Sequence, residues 1–254
     1  MTVRYERRGP AAWVTIDRRE RRNALSGEVI AALVEALAQA GGDDEVRAVV
    51  LTGAGDEAFS AGGDIGGFGA QDAAESAPAA ISRLVDALWH HPKPTVARVN
   101  GRALGGGFGL LLACDLAVAA DDVEVGTPEI DLGLWPHVIT AVIQRRVPRT
   151  VALELMLTGR RMPAREAARW GLVNRVVPRG ELDRTVDELV EAIAGKSPAV
   201  VRLGKRSFLG AEDLPWGRAL DHLKEMLAQN LAAEDLAEGV AAFLEKRAPN
   251  WRGR

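Results

Sequence analysis

The 254-residue chain holds one cysteine, one tyrosine and few aromatic residues of any kind, 5% in all. A lone Cys114 excludes an internal disulfide and a cysteine-based zinc site. Its place inside an apolar segment fits a small buried hydrophobe. No run approaches the ~20 apolar residues that span a bilayer, so no membrane segment is expected. The stretch MTVRYERRGPAAWVTID lacks the apolar core of a secretory signal, which makes the cytoplasm the expected compartment. An excess of one charge is missing too. The 32 basic and 35 acidic residues leave a net charge of −3, which argues against bulk nucleic-acid binding.

What the chain does have is 47% hydrophobic content, enough for one large domain or a domain with an appendage. The stretches TVRYER and AWVTID read as strands around the turn Gly9-Pro10. After RRERRNALS a helix is expected, capped by Ser26 and carrying Val29, Ile30, Leu33, Val34 and Leu37 at helical spacing. Gly41-Gly42 ends it. VRAVVLTG reads as a strand buried on both faces. A glycine-rich loop, AFSAGGDIGGFGA, and a polar alanine-rich segment precede a helix expected around Ile81 to Trp89. TVARVNG is the next strand. From Val138 onward the pattern is mostly helical, with GLVNRVV extended and Pro163 opening a helix at its first position. Strands alternating with helices and then a helical tail indicate an α/β fold.

The glycine clusters pose the functional question. In GRALGGGFGLLLACD three consecutive glycines stand before an apolar helix, each costing roughly 1 kcal/mol against alanine if helical. Neither cluster is followed by Lys-Ser or Lys-Thr at Walker spacing. VVLTGAGDEA offers G-x-G-x-x-A after a strand, but the next segment, FSAGGDIGG, is too rich in glycine for the helix a dinucleotide fingerprint needs. Tight turns and close packing would explain one cluster more comfortably than two. The remaining reading takes both as hydrogen-bond donors. A helix start leaves N–H groups unpaired at a positive pole, and residues without side chains let a carbonyl reach them. Two such groups from separate loops make an oxyanion hole.

AFSAGGDI, PTVARVNGRALGGGFGLLLACDLAVAA and VGTPEIDLGLWP, in this order, resemble the enoyl-CoA hydratase/isomerase (crotonase) superfamily, as does the tail LAEGVAAFLEKRAPNW. The resemblance covers essentially the whole chain. It implies an α/β crotonase-like spiral of β-β-α turns over residues 1–195. Residues 196–254 would form a C-terminal helical region that builds a homotrimer, or a hexamer of two trimers. It implies an acyl-CoA substrate, no metal, and no cofactor beyond the CoA carried by that substrate. Gly63 and Gly106 would supply the two N–H groups, flanked by Gly62 and Gly105. The nucleotide of CoA would lie along the basic turn at Arg22 and Ala24, with Ala61 and Ile65 near the adenine. Phe243 and Lys246 match tail residues that reach a neighbouring subunit's CoA. Asp64 is a possible site residue that better suits a brace for the loop.

Two polarised N–H groups acidify the protons next to a thioester carbonyl, and a base must then move one of them. The hydratases of this superfamily use two glutamates. Glu129, in the Pro-Glu motif, matches the second; Gly109 stands where the first would be. A double-bond shift needs one base, as in the superfamily's isomerases, whereas hydration with one carboxylate is a slower arrangement. His137, eight residues beyond Glu129, matches a position where related dienoyl-CoA isomerases carry an aspartate, although capping or packing at the helix end suits it better. Restoring a carboxylate at Gly109 is expected to favour hydration if there is room beside Phe108. A non-catalytic acyl-CoA-binding homologue, or another reaction of the crotonase type, is the alternative that Gly109 raises.

Overall fold

The computed structural model describes residues 2–64 and 71–254, with side chains from residue 78 onward in the second segment. All six residues of β2 (Ala11–Ile16) and of β3 (Ala48–Gly53) are buried, as strands covered on both faces require. With β1 (Val3–Arg8), β5 (Thr95–Val99), β7 (Leu116–Ala120) and β10 (Arg175–Val177), they form a sheet in the order β1-β2-β3-β5-β7-β10. The β1–β2 pair is an antiparallel hairpin. The remaining pairs are parallel.

A second sheet holds β4 (Ala58–Ser60), β6 (Arg102–Leu104), β8 (Glu124–Gly126) and β9 (Arg161–Pro163), in that order. Its strands have three residues each, too short to display an alternating pattern, and the sequence reading found none of them as a separate strand. Their placement creates a repeat. β3 and β4 lead to α2 (Gln71–Trp89), β5 and β6 to α3 (Gly106–Ala113), and β7 and β8 to α4 (His137–Arg146). Each turn gives its first strand to the large sheet and its second to the small one. This is the expected β-β-α spiral.

The helix α1 (Gly27–Gly42) starts and stops where its sequence signals stand. Ser26 Oγ accepts the Val29 N–H at 3.4 Å, and Val29, Ile30, Leu33, Ala36, Leu37 and Ala40 form the buried face. In α3 every residue from Gly107 to Ala113 is buried, so this helix is core on all sides. Cys114 follows it inside the protein, and burial pushes its thiol up to about 12, an inert group in character. Two expectations need correction. The helix expected from Ile81 begins at Gln71 and contains Pro78; a proline's missing N–H and ring clash normally signal a break, which placed the start too late. Pro163 caps α6 (Ala164–Arg169) as the residue before the helix, because it also closes β9.

After α5 (Arg149–Thr158) and α7 (Leu182–Ala194), the chain ends in α8 (Pro198–Glu212), α9 (Trp216–Leu231) and α10 (Glu234–Glu245). Neither α8 nor α9 buries a residue fully, and Trp216 and Phe243 are 80% and 82% exposed. The tail is fastened by a buried carboxylate. Asp235 accepts the Ser197 hydroxyl at 2.5 Å and the N–H groups of Arg252 and Gly253 at 2.7 and 3.0 Å. Among the described residues no helix is long and apolar enough to cross a membrane.

Candidate active site

Residues 22–25 run alongside residues 61–64 and hold the first glycine loop by backbone bonds. Ala61 N–H donates to Arg22 O at 3.0 Å, Leu25 N–H to Gly62 O at 2.7 Å, and Asp64 N–H to Leu25 O at 3.1 Å. Asn23, buried and held at φ +56°, anchors this ladder. Its amide donates to Ala54 O and Ala58 O at 3.1 and 2.7 Å, and its carbonyl accepts the Arg18 N–H at 3.0 Å. The Arg18 guanidinium donates to Ala24 O and pairs with Asp64, each at 3.0 Å. Asp64 is thus engaged as a brace of the loop.

The second glycine cluster meets the first at the start of α3. A Cβ on Gly62 would lie 3.0 Å from the Gly106 nitrogen, and one on Gly106 would lie 3.6 Å from the Gly63 nitrogen and 3.3 Å from Leu25 Cδ1. Backbone therefore faces backbone across this gap. Among the described residues neither the Gly63 nor the Gly106 N–H donates to a protein acceptor. The other glycines of the cluster answer to different neighbours. Gly107 is pressed against the Ser60 carbonyl, and a Cβ there would sit 2.8 Å from Ser60 Cβ. Gly105 takes φ +55°, and a Cβ on it would lie 2.7 Å from Glu129 Oε1.

Glu129 reaches that place from a 3-10 turn, Pro128–Leu132, closed by Gly133 at φ +72°. The Gly133 N–H caps the turn on Glu129 O and Ile130 O. Its carboxylate lies over Gly105, adjacent to the free N–H of Gly106. Oε2 is buried and has no hydrogen-bond partner among the described residues. Burial raises the carboxyl's pKa above the ordinary range, with its own backbone N–H pulling weakly the other way. Among the described residues, two N–H groups without acceptors and the buried, unpartnered Oε2 of Glu129 therefore lie close together around the start of α3. Such a set can polarise a carbonyl and move a proton beside it. Among the described residues no three His, Cys, Asp or Glu side chains converge as a metal would need.

Residues 6–254 match the model of the enoyl-CoA hydratase/isomerase family. The chain belongs to that family. It is 34% identical to the carnitinyl-CoA dehydratase of Salmonella typhi over 260 residues, 100% of this chain and 99% of the relative. Among solved structures, the enoyl-CoA hydratase of Bacillus anthracis superposes with a TM-score of 0.95 at 32% identity, each chain covered completely. That of Mycobacterium smegmatis gives 0.95 at 34% identity, with 99% of each chain covered.

Within this family member the expected site residues divide into groups. Ala61, Gly62, Gly63, Asp64, Gly105, Gly106 and Glu129 come together, with Arg22 and Ala24 along the adjoining edge. Arg22 is exposed and pairs with Glu57 at 2.8 Å. Ile65 lies outside the described residues. His137 opens α4 as an exposed residue, two positions and so about 200° around the helix from the inward-facing Ile139. Among the described residues no hydrogen bond or ion pair joins it to Glu129. Phe243 and Lys246 belong to the C-terminal region, where Phe243 shares an open groove with Val240, Leu244 and Trp251.

A carboxylate at position 109 depended on room beside Phe108, and the structure leaves none. A Cβ on Gly109 would run into the Ile139 side chain, within 2.7 Å of Ile139 Cβ. The obstruction comes from α4, whose Ile139 fills the space, and Phe108 is buried in the core. Sequence reasoning missed Ile139. Its signal was a helical glycine with no backbone reason to be one, which marks a close helix crossing.

Two outcomes are expected. Gly109→Ala overpacks the α3–α4 contact at a cost of about 1–3 kcal/mol. Ile139→Ala lowers that cost, giving a double-mutant coupling of about 0.5–3 kcal/mol in denaturant unfolding; additive losses would contradict the contact. Second, a carboxyl whose pKa is raised by folding contributes stability that is complete below its ordinary pKa and lost as pH rises through the raised value. Glu129→Gln is therefore expected to melt above the wild type near pH 8, the gap narrowing toward about pH 4. A lower melting temperature for the variant at both pH values would count against a penalised ionised Glu129.

Proposed function

We propose that this protein is an acyl-CoA enzyme that shifts the double bond of an enoyl thioester with Glu129 as its single base. The thioester oxygen accepts the Gly63 and Gly106 N–H groups. Glu129 removes a proton from C2 of a 3-enoyl thioester, the electron pair delocalises into the carbonyl as a dienolate, and the same carboxyl returns the proton to C4. No water enters or leaves. The observation that carries this reading is the carboxylate of Glu129, packed against Gly105 beside the Gly106 N–H, with its Oε2 buried and unpartnered among the described residues. Its raised pKa suits a base that must give back what it takes. CoA lies along the 22–25 edge in this reading, as part of the substrate.

Ile139 favours the one-base reaction over hydration, because it occupies the place in which a second carboxylate would hold water. The second reading is dehydration or hydration at the same carbons, favoured by the names of the relatives, carnitinyl-CoA dehydratase and enoyl-CoA hydratase. The two are separated by mass, since hydration adds one water to the product and a double-bond shift leaves the mass unchanged.

Incubation with 2-enoyl- and 3-enoyl-CoA panels, followed by mass spectrometry and chromatographic separation of isomers, is expected to give isobaric interconversion exceeding water addition. Glu129→Gln should cut turnover by about 10²–10⁴-fold while acyl-CoA binding stays close to unchanged. Wild-type turnover in that variant on every substrate the native protein converts would remove Glu129 from the mechanism.

The C-terminal region is the proposed assembly surface, since α8, α9 and α10 expose Phe208, Trp216, Leu227, Leu231 and Phe243, more apolar area than a free surface ordinarily carries. Light scattering at micromolar concentration is expected to give the mass of a trimer or of two trimers; a monomeric mass would contradict the proposal.

A further inference from the structure

The strands β3 and β5 carry the candidate active site on the loops after their C-terminal ends. At their N-terminal ends, roughly 20 Å away along a six-residue strand, lies a cavity of about 260 Å³ between the core and the C-terminal tail. Its walls come from the segment before β3, from Pro92 to Pro94 before β5, from the α7–α8 junction, and from Trp251 to Gly253. Five cationic side chains line it, Arg47, Lys93, Lys196, Arg202 and Arg252, against one carboxylate, Asp44.

Most of these cations make no ion pair among the described residues. Lys93 donates to Ala40 O at 2.7 Å and to Asp43 O, so its ammonium closes the end of α1. Arg252 stands 3.9 Å from Glu234. Among the described residues Arg47, Lys196 and Arg202 form no ion pair and no side-chain hydrogen bond. The nearby buried carboxylate, Asp235, is already occupied by Ser197 and by the N–H groups of Arg252 and Gly253. Lys93 is held below its ordinary pKa, first by burial, with Arg202 and Arg47 adding to the push against Asp43 and Asp44. The N-terminus of the 15-residue α8 opens at the same wall, with Pro198 at its first position, and adds a positive pole. Like charges gathered around a concavity repel one another unless an anion joins them.

We propose that this cavity binds a phosphoryl anion, with a diphosphate group as the chemistry that matches it. Guanidinium groups hold phosphate oxygens through paired, charge-assisted hydrogen bonds. A monocarboxylate would neutralise only one of three free cations, whereas a diphosphate presents several negative oxygens within a span that the cavity accommodates. The diphosphate can be free or part of a nucleotide, and Trp251 on the wall is an aromatic surface that a base could use.

Calorimetric titration of the whole protein with pyrophosphate, ADP and inorganic phosphate tests this at 150 mM salt, where loose surface attraction is screened. Saturable binding of pyrophosphate or ADP is expected, with weaker binding of phosphate. Comparable affinity for the two would identify the diphosphate as the whole determinant; tighter ADP binding would identify a nucleotide. Arg202→Gln combined with Lys196→Gln, both exposed positions, should weaken binding at least tenfold with an unchanged circular dichroism spectrum. Arg47→Gln, on the opposite wall, should do the same. Absence of saturable binding at millimolar ligand, or affinity unchanged in both variants, would overturn the proposal.

Discussion

The structure turns on two backbone segments approaching each other with no side chains between them. The loop at 61–64 and the start of α3 meet so closely that a Cβ on Gly62 would lie 3.0 Å from the Gly106 nitrogen. Such closeness leaves N–H groups facing a common space with no acceptor for them among the described residues. Unpaired donors are costly when buried, so the surrounding fold must hold them apart from one another and from any rotation that would find partners. The ladder between residues 22–25 and 61–64 supplies that restraint, and buried Asn23 and the Arg18–Asp64 pair secure the ladder.

Glu129 depends on the same arrangement. A side chain at 105 would displace its carboxylate, and a carboxylate less buried would lose the rise in pKa that burial gives it. The glycine at 105 therefore serves a neighbour from another turn of the spiral. Gly107 and Gly109 serve two more, Ser60 and Ile139. One short stretch of sequence is thus shaped by four separate contacts, each with an element distant in the chain. The general family chemistry and the particular form it takes here meet at Gly109. At this position the chain has a packed aliphatic contact with Ile139 that joins α3 to α4.

Net charge conceals how charge is distributed. The chain is slightly acidic as a whole, yet a cavity at the far end of the central sheet gathers five cations around one acid. Arg47, Lys93, Lys196 and Arg202 lie in separate segments and show no cluster when read in order. Folding brings them together at the seam where the tail, fastened through Asp235, returns to the core.

Much was determined by the sequence itself. Strands β2 and β3 were legible because unbroken apolar runs have few uses other than burial on both faces, and α1 because its cap, its periodicity and its terminal glycines agree. The two glycine clusters were legible because close backbone approach demands residues without side chains, and Glu129 through the family resemblance of its Pro-Glu motif. Only the tertiary structure decided the rest. The strands of the small sheet carry three residues each and owe their form to neighbours already in place. The start of α2 ran past a proline that local rules would have respected. The empty place at Gly109 was filled by a side chain 30 residues later, on another helix. Local pattern records what a residue can do; which neighbour it meets is a matter of packing, and packing is settled by the whole chain at once.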